Sequence, residues 1–215
     1  CAQSDAGLAP GDDELVITAR RVEAEEGPRG RVATLTDSVR IEGRGARIAG
    51  TYGIYFESEG RALVFGDVRG TDGERAIAAD TLEYLEESDV VTLEGNASYS
   101  DSTGTTTADR ITLFRKHNVA VCRGDVRFTD EEGTLELTAG RLVYDFDLEE
   151  GRASRGPLLI TTGEDGETDG KLTAEVIEFS PEAESLTAFG SVVLEREEIV
   201  ATSRTAVLEQ GGTIT

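Results

Sequence analysis

The chain has 215 residues and carries 43 Asp and Glu against 21 Lys and Arg, a formal net charge of −22. Negative charge spread along the whole length excludes nucleic acid as a partner, because holding phosphates requires a basic footprint. No apolar run is long enough to cross a bilayer as a helix.

Every basic residue except Lys116 and Lys171 is arginine, and glycine occurs 25 times. Such a composition suits a protein working in concentrated salt, where charges are screened over about 3 Å at 1 M. It equally suits an acidic protein from a GC-rich genome, and composition leaves the two open.

The chain opens on Cys1 and continues AQSDAGLAPGDDE, a small, polar, flexible segment. A cysteine followed by such a tether resembles the mature start of a bacterial lipoprotein. The expectation is a tether over residues 1–14, with Cys1 as the lipid attachment point and the protein facing the periplasm. Ala2 favours the outer over the inner membrane in this reading; the alternative is a boundary that happens to fall at a cysteine.

From residue 15 onward the chain repeats itself. Strand-like segments begin at Thr18 (TARRVEA), Ile48 (IAGTYGI), Ala78 (AADTLEY), Thr107 (TADRITL), Thr138 (TAGRLVY), Thr173 (TAEVIEF) and Thr202 (TSRTAVL), spaced by 29 to 35 residues. A second strand in each unit is anchored on glycine: Gly66, Gly95, Gly124, Gly156 and Gly190, with Asp37 in the corresponding place of the first unit. Polar turns (SEG, EES, DSTG, DEEG, GEDGETDG) separate the strands, and no segment sustains helical spacing. A fixed period of this length marks a stacked architecture.

Strand phase shows which side is dry. Counting by twos from the anchors predicts an inward face holding Leu35, Val39, Val64, Val68, Leu93, Cys122, Val126, Phe128, Leu158, Ile160 and Val192. The first strands point Val22, Tyr52, Ile54, Leu82, Tyr84, Ile111, Leu113, Leu142, Tyr144, Ile177 and Phe179 the same way. Arg, Glu and Thr take the alternate positions, so the sheets carry one solvated face. Stacking along one axis leaves the first and last strands as open edges.

Residues with catalytic potential are few. His117 is the only histidine and sits in the turn FRKHNV, which predicts a solvated residue rather than a triad or zinc ligand. Paired carboxylates such as Glu149–Glu150 and Glu197–Glu198 read as surface charge, and GEDGETDG lacks the closing glutamate of a calcium loop. Cys122, in NVAVCRGDV, reads as a small buried hydrophobe, not a disulfide partner of Cys1. No metal, cofactor or catalytic residue is expected, and the protein is read as a non-enzyme.

The unit built from GDV at Gly66–Val68 and Gly124–Val126, followed by strands of the form at Ala79–Tyr84 and Ala139–Tyr144, resembles the OstA-like lipopolysaccharide-transport domain. The resemblance runs from Leu15 to Leu208, with departures at DSV in place of the glycine, RGPLLI in place of the valine step, and the lengthened unit after Thr138. It implies an all-β, two-sheet, V-shaped β-jellyroll of about seven two-strand units, forming a single domain over residues 15–215. It further implies an apolar groove for acyl chains, lined by Leu82, Tyr84, Leu93, Ile111, Leu113, Val126, Phe128, Leu142, Tyr144, Ile177 and Phe179. Its implied partners are lipopolysaccharide or a related lipid and other OstA-like jellyrolls, joined edge to edge through the strands near 15–24 and 202–208, including a head-to-tail homo-oligomer. The competing reading from another class is an adhesin-like β-solenoid surface lipoprotein whose apolar residues pack as a closed core. A carbohydrate-active β-helix is disfavoured: the repeat is a two-strand unit of about 30 residues, the chain has no Trp, and most Tyr and Phe point inward.

Overall fold

The computed structural model describes residues 16–28, 30–43, 45–163, 166–180, 185–196 and 199–208, with the backbone of Glu209 and of 213–214. Cys1, the 1–14 tether, Leu15 and the pair Glu197–Glu198 lie outside the described residues.

The described chain is all β apart from two single-turn 3-10 helices, Glu57–Glu59 and Arg115–His117. The strands are β1 (Val16–Thr18), β2 (Arg21–Gly27), β3 (Gly30–Gly43), β4 (Ala46–Phe56), β5 (Arg61–Asp72), β6 (Arg75–Leu85), β7 (Val90–Asp101), β8 (Gly104–Phe114) and β9 (Val119–Asp130). They continue with β10 (Leu135–Asp145), β11 (Glu150–Ser154), β12 (Leu158–Thr162), β13 (Thr168–Thr173), β14 (Val176–Ser180), β15 (Ser185–Arg196), β16 (Ile199–Glu209) and β17 (Thr213–Ile214). From β2 to β10 each strand pairs antiparallel with the next, an unbroken meander.

The repeated glycine anchor is a β-bulge. In β5 the pair Gly66–Asp67 faces the single residue Asp80, because Phe65 pairs with Thr81 and Val68 with Ala79. Asp37–Ser38, Gly95–Asn96, Gly124–Asp125 and Gly190–Ser191 repeat this arrangement in β3, β7, β9 and β15. Both residues of every pair are left-handed, with φ between 41° and 78°. Glycine adopts that region without strain, and Asp and Asn tolerate it better than most residues, which fits Gly-Asp or Gly-Asn at three of the five bulges; the other two place serine second, as Asp37–Ser38 and Gly190–Ser191. An extra residue on one strand bends it and increases its twist. Each long strand therefore folds at mid-length into two halves.

Those halves form the two walls of the V. The branching after β10 makes this visible: its first half, Leu135–Thr138, pairs with β12, while its second half, Arg141–Asp145, pairs with β11. The branches run on through β13 and β14 and rejoin on the two halves of β15. One wall, here wall I, holds the segments near Arg61–Phe65, Tyr84, Ile111, Cys122, Leu142 and Ile177. The other, wall II, holds those near Val68, Ile77, Tyr99, Thr106, Phe128, Leu137 and Leu159. Each wall is thus built from half-strands, and the two strands of a repeat are neighbours in one ladder rather than members of opposite sheets.

The apolar face between the walls contains Val39, Val64, Val68, Leu82, Leu93, Ile111, Leu172, Ile177 and Val192, all under 2 % exposed. Two predicted faces are corrected. In β4, Gly53 stands opposite Leu35 on the inner face, so Tyr52 and Ile54 point outward, where Tyr52 packs on Phe65 at 5.9 Å between ring centroids. The unit at Gly156 is displaced by one: the left-handed pair is Arg155–Gly156, so Pro157 and Leu159 are buried while Leu158 and Ile160 are half-buried. A shift of one residue reverses every side chain of a strand. Val22 faces inward opposite Leu35 as expected, yet it remains 55 % exposed because β2 is the end of the stack.

Candidate apolar groove

The groove is defined by the space the walls leave between them. Around β7–β10 they close on a cavity of about 30 Å³, lined by Tyr99, Thr106 and Phe128 from wall II and by Ile111, Ala120, Cys122, Leu142, Tyr144 and Phe179 from wall I, with Phe146 just beyond β10. That volume holds about two water molecules. Toward the C-terminal strands the walls separate, leaving a cleft of about 400 Å³ between Leu135, Leu137 and Leu159 of wall II and Ile177, Phe179, Leu186 and Leu208 of wall I. Its lining is almost wholly hydrocarbon, with Thr103, Asp130, Thr161, Ser180 and Ser185 at the margins.

The mouth of the V is strapped where the small cavity lies. Arg115, in the turn after β8 at the end of wall I, reaches Asp72 at the end of wall II with Nε at 3.0 Å from Oδ1, and holds Asp89 at 3.0 Å through Nη1. These three side chains are 15 %, 9 % and 16 % exposed. Burial works against the Arg115 charge, but Asp72 and Asp89 outweigh it and hold its pKa above the ordinary value. Next to it Arg75 of wall II donates to Asn118 Oδ1 at 3.1 Å and lies 3.9 Å over the Phe146 ring, both at the wall I end. Tyr99 donates to Asp101, and burial together with this bond raises the phenol pKa. Outside the strap is a polar cleft of about 590 Å³ in which Asp72, Glu74, Asp89, Asp101 and Glu149 surround Arg75 and Arg115. Carboxylates outnumber guanidiniums there, so the cleft offers no net positive field to an anionic headgroup.

The eleven residues expected to line a groove divide into two sets. Ile111, Phe128, Leu142, Tyr144, Ile177 and Phe179 border one or both apolar cavities. Leu82, Tyr84, Leu93, Leu113 and Val126 are buried in the core, at most 5 % exposed, and border neither cavity. Sequence phase missed Tyr99 as a cross-wall contact, Phe146, and the leucines Leu135, Leu137, Leu159 and Leu208. Leu135 and Leu137 alternate in GTLELTAG, a signal strong enough to have been included. Phe146 follows the end of β10, where alternation carries no information. His117 is exposed in the second 3-10 helix, as its turn setting implied.

Cys122 is a free thiol, 3 % exposed, on the wall of the small cavity. Burial pushes its pKa from 9.0 up to about 12, so it stays a thiol where an exposed cysteine begins to ionise. Iodoacetamide at pH 8 is expected to leave it unmodified in the folded protein and to alkylate it in denaturant, read by intact mass; equal rates in both states would contradict the burial. A raised folded-state value adds stability that is complete below pH 9 and is lost as the pH rises toward 12. Replacing Cys122 by alanine should therefore flatten the alkaline limb of a stability–pH curve.

Against this geometry, comparison with known proteins gives one family match. Residues 13–119 match the family described as LptA/(LptD N-terminal domain) LPS transport protein. No curated protein matches the chain. Among solved structures, LptH, the LptA-homologous periplasmic component of the lipopolysaccharide transport device of Pseudomonas aeruginosa, is 21 % identical. That match covers 51 % of this chain and 82 % of the other, with a TM-score of 0.48. The family match spans the strapped, filled part of the stack, and most of the lining of the open cleft follows it in the chain. The antiparallel meander, the repeated bulges and the apolar interior are those of an OstA-like β-jellyroll, and residues 13–119 are similar to the LptA/LptD N-terminal lipopolysaccharide-transport family.

Proposed function

We propose that this protein is a non-enzymatic periplasmic carrier that shelters acyl chains of lipopolysaccharide or a related amphiphile between its walls and passes them along a chain of jellyrolls joined edge to edge. The observation that carries the reading is the apolar cleft of about 400 Å³ between Leu137, Leu159, Ile177 and Leu186. This volume lies within the roughly 300–1,000 Å³ usual for ligand sites, and its hydrocarbon lining suits a tail rather than a headgroup. Each methylene moved from water into it gains about 0.8 kcal/mol, up to roughly 10 kcal/mol for a dozen carbons before the opposing losses of freedom. Open edges support the second half of the reading. All seven residues of β2 are exposed, and Ile199 and Val200 of β16 are each 66 % exposed. Unpaired strand edges of this kind accept another strand.

The test is lipid recovered with the protein and located on it. Protein purified from its native host should carry lipopolysaccharide or phospholipid detectable by mass spectrometry. Photo-crosslinkers at Leu137 and Leu186 should label it, and one at Arg127 on the outer face should not. Proline in place of Ala24 should abolish capture of a partner jellyroll while leaving lipid labelling intact. The filled region from β3 to β6, where Val39, Val64, Val68 and Leu82 are fully buried, favours the stalk-like second reading. Lipid-free protein with silent crosslinkers in the cleft would decide for it.

A further inference from the structure

The two apolar cavities lie in series, and one pair of side chains belongs to both. Phe128 and Phe179 line the small cavity and the large cleft alike, together with Thr103 at the edge. Phe128 comes from wall II, after the β9 bulge, and Phe179 from wall I, so the pair spans the groove. Their rings stack with centroids 6.5 Å apart and planes inclined by 23°. Tyr144 also stacks on Phe179 at 6.2 Å, and Phe146 meets Tyr144 at 5.0 Å. Aromatic side chains thus line the groove from the end of the open cleft, around the small cavity, to the Arg75–Phe146 contact at the strap.

The position of Phe179 is prepared by the neighbouring strand. It stands opposite Gly151 in the β11–β14 register, and a Cβ at Gly151 would lie 2.0 to 2.5 Å from three atoms of the ring. Gly151 has no left-handed backbone to require glycine. Absence of a side chain there makes the seat on which the Phe179 ring rests. Phe128 and Phe179 are both half-buried, with one face toward the cleft.

We propose that the Phe128–Phe179 pair is the stop that sets how long an acyl chain the groove accepts: the methyl end of the tail abuts the stacked rings, and the space behind them is closed to it. This rests on the lipid-sheltering reading and adds its length selectivity. The stop bridges the walls through the stacked rings, so shortening either side chain is expected to connect the cleft with the small cavity behind.

The experiment measures binding of a homologous series of saturated fatty acids to the whole chain by displacement of a fluorescent fatty acid. In the wild-type protein affinity should rise about fourfold for each added carbon and then level off once the tail reaches the rings. Phe179→Leu and Phe128→Leu should move that limit to longer chains, with the shorter acids unaffected. Gly151→Ala, which fills the seat while keeping both rings, should also move the limit. Phe189→Leu, on the outer face, should leave it in place, and thermal unfolding verifies that each variant is folded. Binding with the wild-type limit retained in all three groove variants overturns the stop and leaves lipid sheltering intact. Absence of binding by wild type and variants alike overturns the sheltering reading, and the stop with it.

Discussion

Gly124→Val is expected to be among the most damaging single changes in this protein, lowering stability by about 3 kcal/mol or more. Gly124 is the first residue of the β9 bulge, at φ +74°, a region a β-branched residue occupies only under strain. A Cβ there would also stand 2.1 Å from Asp109 Oδ2 and 2.9 Å from its Cβ, so the neighbouring strand must move as well. For a domain of this size the loss corresponds to roughly 6–12 °C in melting temperature. Gly133 supplies the control: it is equally left-handed at φ +72°, but nothing lies within 4 Å of its would-be Cβ. Gly133→Asn should shift the melting temperature little. If thermal unfolding shows the two variants alike, the bulge is not the hinge on which the walls bend.

Arg115→Leu is expected to lose about 3–5 kcal/mol, because it leaves Asp72 and Asp89 charged, largely buried and without their counter-charge. The denaturant midpoint should fall accordingly at an unchanged slope. Asp72→Asn introduced into the same variant should recover part of the loss by removing one stranded charge. Arg115→Lys should fall in between, since a single ammonium cannot fork to two carboxylates as the guanidinium does. An unchanged midpoint in Arg115→Leu would mean that the contact across the mouth does not hold the walls together.

Much of this architecture was legible before any coordinates. The period of 29 to 35 residues and the alternation of strands such as VVTLEG and ITLF follow from local rules of pleat and burial, and the structure places Leu82, Leu93, Ile111 and Ile177 inside as expected. Errors of phase arose where the local signal was displaced. Laying IAGTYGI on the 30-residue repeat put Gly50 where Thr51 stands opposite the Asp37–Ser38 bulge, and Arg155–Gly156 reverses the usual order of the anchor, so the faces were reversed at Tyr52 and at Leu158. The site was half legible: six of eleven expected residues border a cavity, and five fill the core beside it. Inward direction is a property of one strand, whereas an open space is a property of two walls and the distance between them.

By itself the sequence determined that this is a stacked, all-β chain with one apolar face, because side-chain alternation and left-handed Gly-Asp pairs act within a few residues of each other. Only the tertiary structure decided that every long strand bends to serve both walls and that the mouth is strapped by Arg115 to Asp72, 43 positions away. It alone also decided that the walls part beyond Phe128 and Phe179. Those features depend on how far apart distant segments come to rest once the bulges have turned them, and no local pattern encodes that separation.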